Sequence, residues 1–269
     1  MRDNPIGVFD SGIGGLTVTK EIVKRLPNES LIYLGDTARV PYGTRSKETI
    51  TKFAIKLVEF LLKQDVKILV AACNTISSTC LDIIEQISSV PVIGVIKPAV
   101  IEAVKSTKTN RIGIIGTRAT IMSKFYESEI KKLNSEIEVF NQACPLFVPL
   151  AEEGMVNHEA TKLIAKEYLT KLSDSKIDTL ILGCTHYPIL KNIIQEVIGS
   201  DVKLIDSAKP TTEILSSFLK ENNLLSNGTE VKYEFYVTDD PERVSKTASI
   251  FFNKGLSDKL KKVKIESKP

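Results

Sequence analysis

The chain has 269 residues, of which 42% are hydrophobic and 26% are charged, and its formal net charge is +3 at neutral pH. This composition is that of a soluble globular protein, and the length allows either one large domain or two lobes. Acidic and basic residues are mixed except in the tail "KLKKVKIESKP". We therefore expect no nucleic-acid partner and a solvated, partly frayed C-terminal end.

Membrane and metal-binding classes are also disfavoured. No apolar run reaches the roughly 18 residues of a membrane span, and "MRDNPIGVF" lacks the features of a secretory signal. We expect a cytoplasmic protein without a membrane partner. The four cysteines show neither CxxC nor CxxH spacing, which argues against zinc and thioredoxin-like redox chemistry, and in a reducing compartment they should be free thiols.

Short apolar segments alternate with longer amphipathic ones along the chain. The predicted strands are, in order, "IGVF", "LIYLG", "KILVAA", "VPVIGV", "RIGIIG", "DTLILG", "VKLID" and "YEFYV". After the second strand, "SKETITKFAIKLVEFLLKQ" predicts a helix with one apolar side, formed by Phe53, Ile55, Leu57, Val58, Leu61 and Leu62. Strands that alternate with helices predict parallel sheets of the doubly wound α/β class.

Strand ends repeat at a nearly constant distance. The matched pairs are Ile6 with Ile112, Cys73 with Cys184, and Lys97 with Lys209, which lie 106, 111 and 112 residues apart. Because the pairs stay in order, we predict two similar lobes related by internal duplication. Both lysines precede a proline, which suits a helix start or a crossing between lobes.

If the chain passes from one lobe to the other at each Lys-Pro pair, these two points divide it into two lobes. The first lobe would contain residues 1–97 and 209–269, and the second would contain 98–208. In doubly wound sheets, ligands bind beyond the carboxyl ends of the strands. We therefore expect an active site in the cleft between the lobes, with both matched strand ends facing it.

Cys73 in "AACNTISS" and Cys184 in "GCTHYPIL" stand at these matched ends. A nearby helix N-terminus stabilises a thiolate, which predicts a thiol pKa lowered from roughly 8.5 toward neutrality. Their polar neighbours suit a carboxylate ligand: Asn74, Thr75, Thr185 and His186. A matched pair of this kind favours acid/base chemistry over core packing. Cys80 and Cys144 lack such neighbours and are predicted to be packing residues.

The glycine-rich segment "FDSGIGGLTV" follows the first strand and opens a helix. Its glycines do not fit GxGxxG, and Asp10 would repel a pyrophosphate, so a nucleotide site is disfavoured. Two interpretations stay open. Either Asp10 and Ser11 lie beside a small polar ligand, or one of them caps the helix and the glycines form a tight turn.

Two further segments carry polar residues. "GDTARVPYG" leaves the second strand at Asp36 and ends in Pro41-Tyr42-Gly43, which is either a ligand-binding turn or only a loop. His158 is predicted to begin or cap a surface helix. Glu152, considered by itself, is a solvated loop carboxylate.

Four of these segments, "FDSGIGGLTV", "GDTARVPYG", "AACNTISS" and "GCTHYPIL", together resemble the cofactor-independent aspartate/glutamate racemases. The resemblance covers most of the chain, from Ile6 to about residue 244, and the Cys-Thr-His-Tyr-Pro run favours the branch that acts on glutamate. It implies interconversion of L- and D-glutamate without pyridoxal phosphate or metal, supply of D-glutamate for bacterial peptidoglycan, and a homodimer.

The resemblance also implies roles for individual residues. Cys184 would be the base and Cys73 the acid for L-glutamate, with these roles reversed for D-glutamate. Asp10 and His186 would support the adjacent thiols, and Asp36 and Glu152 would be secondary polar neighbours. The implied substrate-binding residues are Asp10, Ser11, Pro41, Tyr42, Gly43, Asn74, Thr75, Thr185 and His186. The alternatives are a racemase of a related amino acid such as aspartate, and a non-catalytic two-lobed binding protein, which would not need two thiols.

Overall fold

The computed structural model describes residues 2–228, 230–252 and 260–265. Within these ranges the strands are β1 (Ile6–Asp10), β2 (Leu31–Gly35), β3 (Ile68–Ala71), β4 (Val92–Gly94), β5 (Arg111–Gly116), β6 (Glu138–Ala143), β7 (Thr179–Gly183), β8 (Lys203–Ile205), β9 (Tyr233–Val237) and β10 (Leu260–Lys262). The helices are α1 (Leu16–Arg25), α2 (Lys47–Leu62), α3 (Asn74–Thr79), α4 (Leu81–Ile87), α5 (Ile96–Ser106), α6 (Arg118–Met122), α7 (Phe125–Leu133), α8 (Phe147–Glu152), α9 (Glu159–Asp174), α10 (Lys191–Ile198), α11 (Ala208–Glu221) and α12 (Pro241–Phe251). Short 3₁₀ helices cover Tyr42–Thr44 and Tyr187–Leu190.

The strands form two sheets. The first has the order β10-β9-β2-β1-β3-β4 and the second has the order β6-β5-β7-β8, and neighbouring strands are parallel in both. This confirms the α/β class with two parallel sheets. We call each sheet with its helices a lobe; the exact boundaries, 1–97 with 209–269 and 98–208, stay a prediction.

Both Lys-Pro pairs lie in the first turn of a helix. Pro98 belongs to α5 and Pro210 to α11, and each helix starts two positions earlier, at Ile96 and Ala208. Proline is tolerated there because the first N–H groups of a helix have no partner within the helix. The predicted helix starts are therefore confirmed. Helix α5 follows the first sheet and packs on β7 and β8 of the second.

Two strands were not expected from the sequence. Strand β6 is an edge strand whose side chains are all at least partly exposed, so it lacks the apolar run that marks the eight predicted strands. The expectation of a frayed basic tail is wrong for β10, which pairs with β9 at the edge of the first sheet. Lysines suit an edge strand because they discourage further pairing. Residues 259 and 266–269 of the tail lie outside the described residues.

The buried side of α2 differs slightly from the predicted one. Its core-facing residues are Ile50, Ala54, Leu57, Val58 and Leu61, whereas Phe53, Ile55 and Leu62 are only half-buried. The side chain of Ser46 caps the helix by accepting the N–H of Thr49 at 3.3 Å.

The carboxyl ends of the strands lead to one region of the molecule. Strands β1, β3 and β7 are fully buried, and they end next to Ser11, Ala72 and Cys184. Parallel strands place these ends at the same edge of their sheets. Among the helices that the structure describes, none is long and apolar enough to cross a bilayer.

Candidate active site

The two matched cysteines line the same cavity. Cys73 comes two residues after β3 and Cys184 directly after β7, and their exposed fractions are 4% and 6%. The cavity has a volume of about 30 Å³. It is lined by Ser11, Val40, Pro41, Tyr42, Gly43, Cys73, Asn74, Thr75, Thr117, Val148, Cys184, Thr185 and His186. Two buried thiols therefore face one small space from two different sheets.

The thiol of Cys73 lies in an acidic environment. It donates a hydrogen bond to Oγ of Ser11 at 3.3 Å, and fully buried Asp10 is close enough for its charge to act on the sulfur. Burial, followed by the Asp10 charge, raises the pKa of Cys73 well above its ordinary value. The expected lowering of the pKa is therefore wrong for this thiol. Helix α3 has only six residues, and its dipole does not compensate for burial.

The glycine-rich segment is a turn that positions Asp10 beside Cys73. Oδ2 of Asp10 accepts the N–H of Gly12 at 3.1 Å, and Gly15, rather than Asp10 or Ser11, precedes helix α1. The helix-capping interpretation is thus wrong. Burial raises the pKa of Asp10 above its ordinary value.

The thiol of Cys184 begins a chain of polar contacts. Its sulfur lies 3.8 Å from Nδ1 of His186, and Nε2 of the same ring lies 2.9 Å from Oε1 of Glu152. Burial alone would lower the pKa of His186, but the hydrogen bonds to Cys184 and Glu152 raise it to about 10. These contacts favour the protonated imidazole at neutral pH, and Glu152 is its hydrogen-bonded partner rather than a free loop carboxylate.

Glycine at position 14 permits the first lobe to approach His186. A Cβ atom at Gly14 would lie 2.4 Å from Nδ1 of His186 and 2.5 Å from Oγ1 of Thr185. In the next turn, Oγ1 of Thr17 donates to the carbonyl oxygen of Thr185 at 3.1 Å. The absence of a side chain at Gly14 therefore allows the two lobes to come into close contact here.

Asp36 holds the turn that forms one wall of the cavity. Its buried carboxylate accepts the hydroxyl of Tyr42, contacts Nε of Arg39 at 2.7 Å and accepts Oγ1 of Thr238 at 2.8 Å. Asp36 itself does not line the cavity. The turn that it fixes contributes Val40, a cis Val40–Pro41 bond, Tyr42 and Gly43.

A buried amide group of the site has no partner for its N–H groups in the described part of the chain. Asn74 is 2% exposed, and its Nδ2 has no hydrogen-bond partner among the described residues, although Oδ1 accepts the hydroxyl of Tyr126 at 2.6 Å. Oγ1 of Thr75 lies 3.0 Å from Oγ1 of Thr117 across the two lobes. A buried, unpaired amide N–H is costly unless a ligand accepts it, and a carboxylate oxygen is a suitable acceptor.

Three lining residues were missed in the sequence: Val40, Thr117 and Val148. Thr117 has a signal in the repeat, because the offset of 106 residues that relates Ile6 to Ile112 also relates Ser11 to Thr117. Val40 and Val148 are apolar residues in a turn and a short helix, and they carry no local signal for a site.

Other predicted residues lie away from the cavity. Cys80 and Cys144 are buried core residues, as predicted, and all four cysteines are free thiols. His158 caps α9, where its Nδ1 accepts the N–H of Ala160 at 3.1 Å, which confirms the predicted cap.

Comparison with known proteins shows the family of the chain. The family model of Asp/Glu/Hydantoin racemases matches residues 6–215. The chain belongs to this family. As a member of the Asp/Glu/Hydantoin racemase family it is an enzyme of the isomerase class. The chain is 48% identical over 254 residues to the glutamate racemase of Geobacter metallireducens, with 94% of each chain covered. It is 47% identical over 258 residues to the glutamate racemase of Chlorobaculum tepidum, with 95% of each chain covered.

Solved structures of this racemase family share the fold. Glutamate racemase from Francisella tularensis, in complex with D-glutamate, superimposes with a TM-score of 0.93 at 44% identity and with 99% of both chains covered. Escherichia coli glutamate racemase, in complex with L-glutamate and the activator UDP-MurNAc-ala, has a TM-score of 0.79 at 25% identity, with 97% of this chain and 98% of that chain covered. The two-lobed architecture is thus that of known racemases.

Proposed function

We propose that the protein interconverts L- and D-glutamate by transferring the α-proton between two thiols. The observation that carries this proposal is the shared cavity, in which Cys73 and Cys184 approach from different lobes. Racemisation must remove a proton from one face of Cα and return one to the other face. Two acid/base groups on opposite sides of a bound ligand achieve this directly. The names of the relatives and the D-glutamate bound to one of them support glutamate as substrate.

The proton balance is symmetric. With L-glutamate bound, the Cys184 thiolate takes the α-proton, and the electron pair of the broken C–H bond moves toward the carboxylate. The thiol of Cys73 then gives its proton to the opposite face of Cα. The products are D-glutamate, a Cys184 thiol and a Cys73 thiolate. The reverse reaction starts from this second pair of protonation states.

The surroundings of the sulfurs favour this starting state. The imidazolium of His186 lies beside Cys184 and stabilises negative charge on its sulfur. Burial and the charge of Asp10 keep Cys73 protonated. We therefore assign Cys184 as the base for L-glutamate and Cys73 as the acid.

Stabilisation of the developing carbanion is assigned to the donors around the cavity. The α-proton of an amino acid is weakly acidic. The negative charge that develops on the carboxylate must therefore be stabilised by preorganised hydrogen-bond donors in a site that excludes water. The unpaired Nδ2 of Asn74 and the hydroxyl of Thr75 are such donors. We propose that Ser11, Thr117 and Thr185 complete the binding of the polar groups of glutamate.

Substrate binding requires the cleft to open. A cavity of about 30 Å³ has room for a water molecule or two, whereas glutamate has ten heavy atoms. A second cavity of about 250 Å³ shares Val40, Pro41, Gly43, Thr117 and Val148 with the first. Movement of these residues, by separation of the lobes, would join the two spaces. Closure would then exclude water during proton transfer.

The wider role follows from the proposed reaction. We propose that the enzyme works in the cytoplasm as a homodimer and supplies D-glutamate for peptidoglycan. The resemblance to glutamate racemases supports these three points.

Circular dichroism tests the reaction. Purified, reduced protein is incubated separately with L-glutamate and L-aspartate, without added cofactor. We expect the glutamate signal to decay to zero and the aspartate signal to persist. Persistence of the glutamate signal with folded protein would contradict the proposal, and faster decay of the aspartate signal would reassign the substrate.

A further inference from the structure

Tyr126 connects the two strand ends that carry the thiols. It lies on α7 of the second lobe and is 2% exposed. Its ring packs over the end of β7 at Gly183, the residue before Cys184. A Cβ atom added at Gly183 would lie only 3.2 Å from Cε2 of Tyr126. Its hydroxyl reaches the first lobe and donates to Oδ1 of Asn74, the residue after Cys73, at 2.6 Å. One side chain thus contacts the neighbours of both thiols.

The hydrogen bond decides which way the Asn74 amide points. Burial raises the pKa of Tyr126 well above its ordinary value, so the hydroxyl keeps its proton and can donate. In the part of the chain that the structure describes, the hydroxyl donates to Asn74. With Oδ1 held by Tyr126, the two N–H groups of Nδ2 are directed elsewhere, and Nδ2 is a buried atom without a protein partner. A rotated amide would turn its acceptor toward the ligand and repel a carboxylate.

We propose that Tyr126 is a positioning residue, which orients the Asn74 amide so that Nδ2 donates to a carboxylate of the substrate. The inference rests on the proposed function, since it specifies how glutamate is held. Tyr126 does not touch the reacting atoms in this role and acts through Asn74. Because the two residues belong to different lobes, closure of the cleft and orientation of the donor occur together.

Removal of the hydroxyl tests the inference. Tyr126→Phe keeps the ring that packs on Gly183, and Tyr168→Phe is a matched control that removes a phenol hydroxyl from the same lobe, where it accepts the N–H of Leu146. We expect kcat/KM for glutamate to fall about tenfold in Tyr126→Phe, as for loss of one buried hydrogen bond, and to stay within about twofold in Tyr168→Phe. Thermal melting of each variant verifies that it is folded at the assay temperature.

A double-mutant cycle separates positioning from a general structural role. In an Asn74→Ala background, Tyr126→Phe should change the residual rate of α-deuterium exchange by less than about twofold, because the residue through which it acts is absent. A tenfold loss that persists in this background overturns the inference, as does an unchanged kcat/KM in Tyr126→Phe alone or an equal loss in Tyr168→Phe. Wild-type protein that leaves L-glutamate unchanged would instead overturn the proposed function.

Discussion

The sulfur of Cys184 lies 3.8 Å from Nδ1 of His186, and both side chains are buried. The other thiol, Cys73, has the carboxyl group of Asp10 in its surroundings instead of a cation. The two sulfurs therefore occupy similar positions in the site, but the ionisable groups beside them differ. This asymmetry supports the proposed assignment of Cys184 as the base and Cys73 as the acid for L-glutamate.

The proposed mechanism requires both thiols for racemisation. We expect Cys73→Ala and Cys184→Ala each to lower kcat at least about 10³-fold, within the range for loss of a general acid or base, as measured by circular dichroism. Cys80→Ala, which removes a buried thiol that does not line the cavity, should retain activity. Substantial racemisation by either folded single variant would rule out the two-thiol mechanism.

An irreversible reaction is needed to identify the face of Cα on which each thiol acts. Enantiomers have equal free energy, so kcat/KM for racemisation is the same in both directions in any variant. With 3-chloroglutamate, removal of the α-proton is followed by loss of chloride from Cβ, and no second proton transfer at Cα is required. We expect Cys73→Ala to release chloride from the L-enantiomer and Cys184→Ala from the D-enantiomer. The opposite preference would reverse the assignment of base and acid.

We predict that Glu152 sets the upper pH limit of activity through His186. The hydrogen bond to Glu152 raises the pKa of His186, so Glu152→Gln should lower that pKa from about 10. The imidazolium is present below this pKa and is lost as the pH rises through it. The alkaline limb of kcat/KM should therefore move to lower pH. The shift should be about one pH unit for each tenfold decrease in the proton affinity of His186. The exposed neighbour variant Glu153→Gln is the control, and an unshifted limb in Glu152→Gln would contradict the assigned role.

Two glycine substitutions should separate activity from stability. Gly14→Ala places a Cβ atom 2.4 Å from Nδ1 of His186, so the ring must move, and we expect activity to fall about 10²-fold. Gly199 has a φ of +100° and no atom within 4 Å of the added Cβ, so Gly199→Ala should cost about 1 kcal/mol or more of unfolding free energy with activity retained. Equal activity in the two variants at 25 °C would show that close approach to His186 is unimportant.

A buried ion pair lies away from the site, and breaking it should destabilise the fold. Nζ of Lys67 donates to the carboxylate of Glu29 and to the carbonyl oxygens of Arg2, at 2.7 Å, and Leu224, at 2.8 Å. Lys67→Met leaves the Glu29 charge buried, and we expect the free energy of unfolding in urea to fall by about 3–5 kcal/mol. The double variant Lys67→Met/Glu29→Gln should recover part of the loss. A single variant as stable as the wild type would contradict this role.

The fold was predictable wherever strands are buried on both faces. Segments such as "LIYLG" and "RIGIIG" have continuous apolar runs because helices cover their sheets on both sides. Strand β6 was missed because an edge strand with polar residues has no such run. Strand β10 was missed because the sequence "LKK" becomes a strand only through its pairing with β9, which is a tertiary contact.

The site was predictable where a motif carries it. Cys73 and Cys184 stand out by their matched positions, and Thr117 follows from the same repeat once Ser11 is aligned. Tyr126 could not be predicted, because its proposed role depends on a hydrogen bond to a residue 52 positions away. The direction of the Cys73 pKa shift was mispredicted for a related reason, since burial depends on the whole fold and here outweighs the short helix.

Deuterium incorporation during the first few per cent of the reaction tests the two-thiol mechanism most directly. L-glutamate is incubated with wild-type protein in D₂O, and the α-positions of the product and the remaining substrate are analysed separately by proton NMR and mass spectrometry. We predict deuterium in nearly all of the D-glutamate formed and almost none in the remaining L-glutamate, because the thiol that gives the proton differs from the one that takes it. Comparable deuterium in both enantiomers, or protium carried over into D-glutamate, would indicate one shared base and contradict the mechanism.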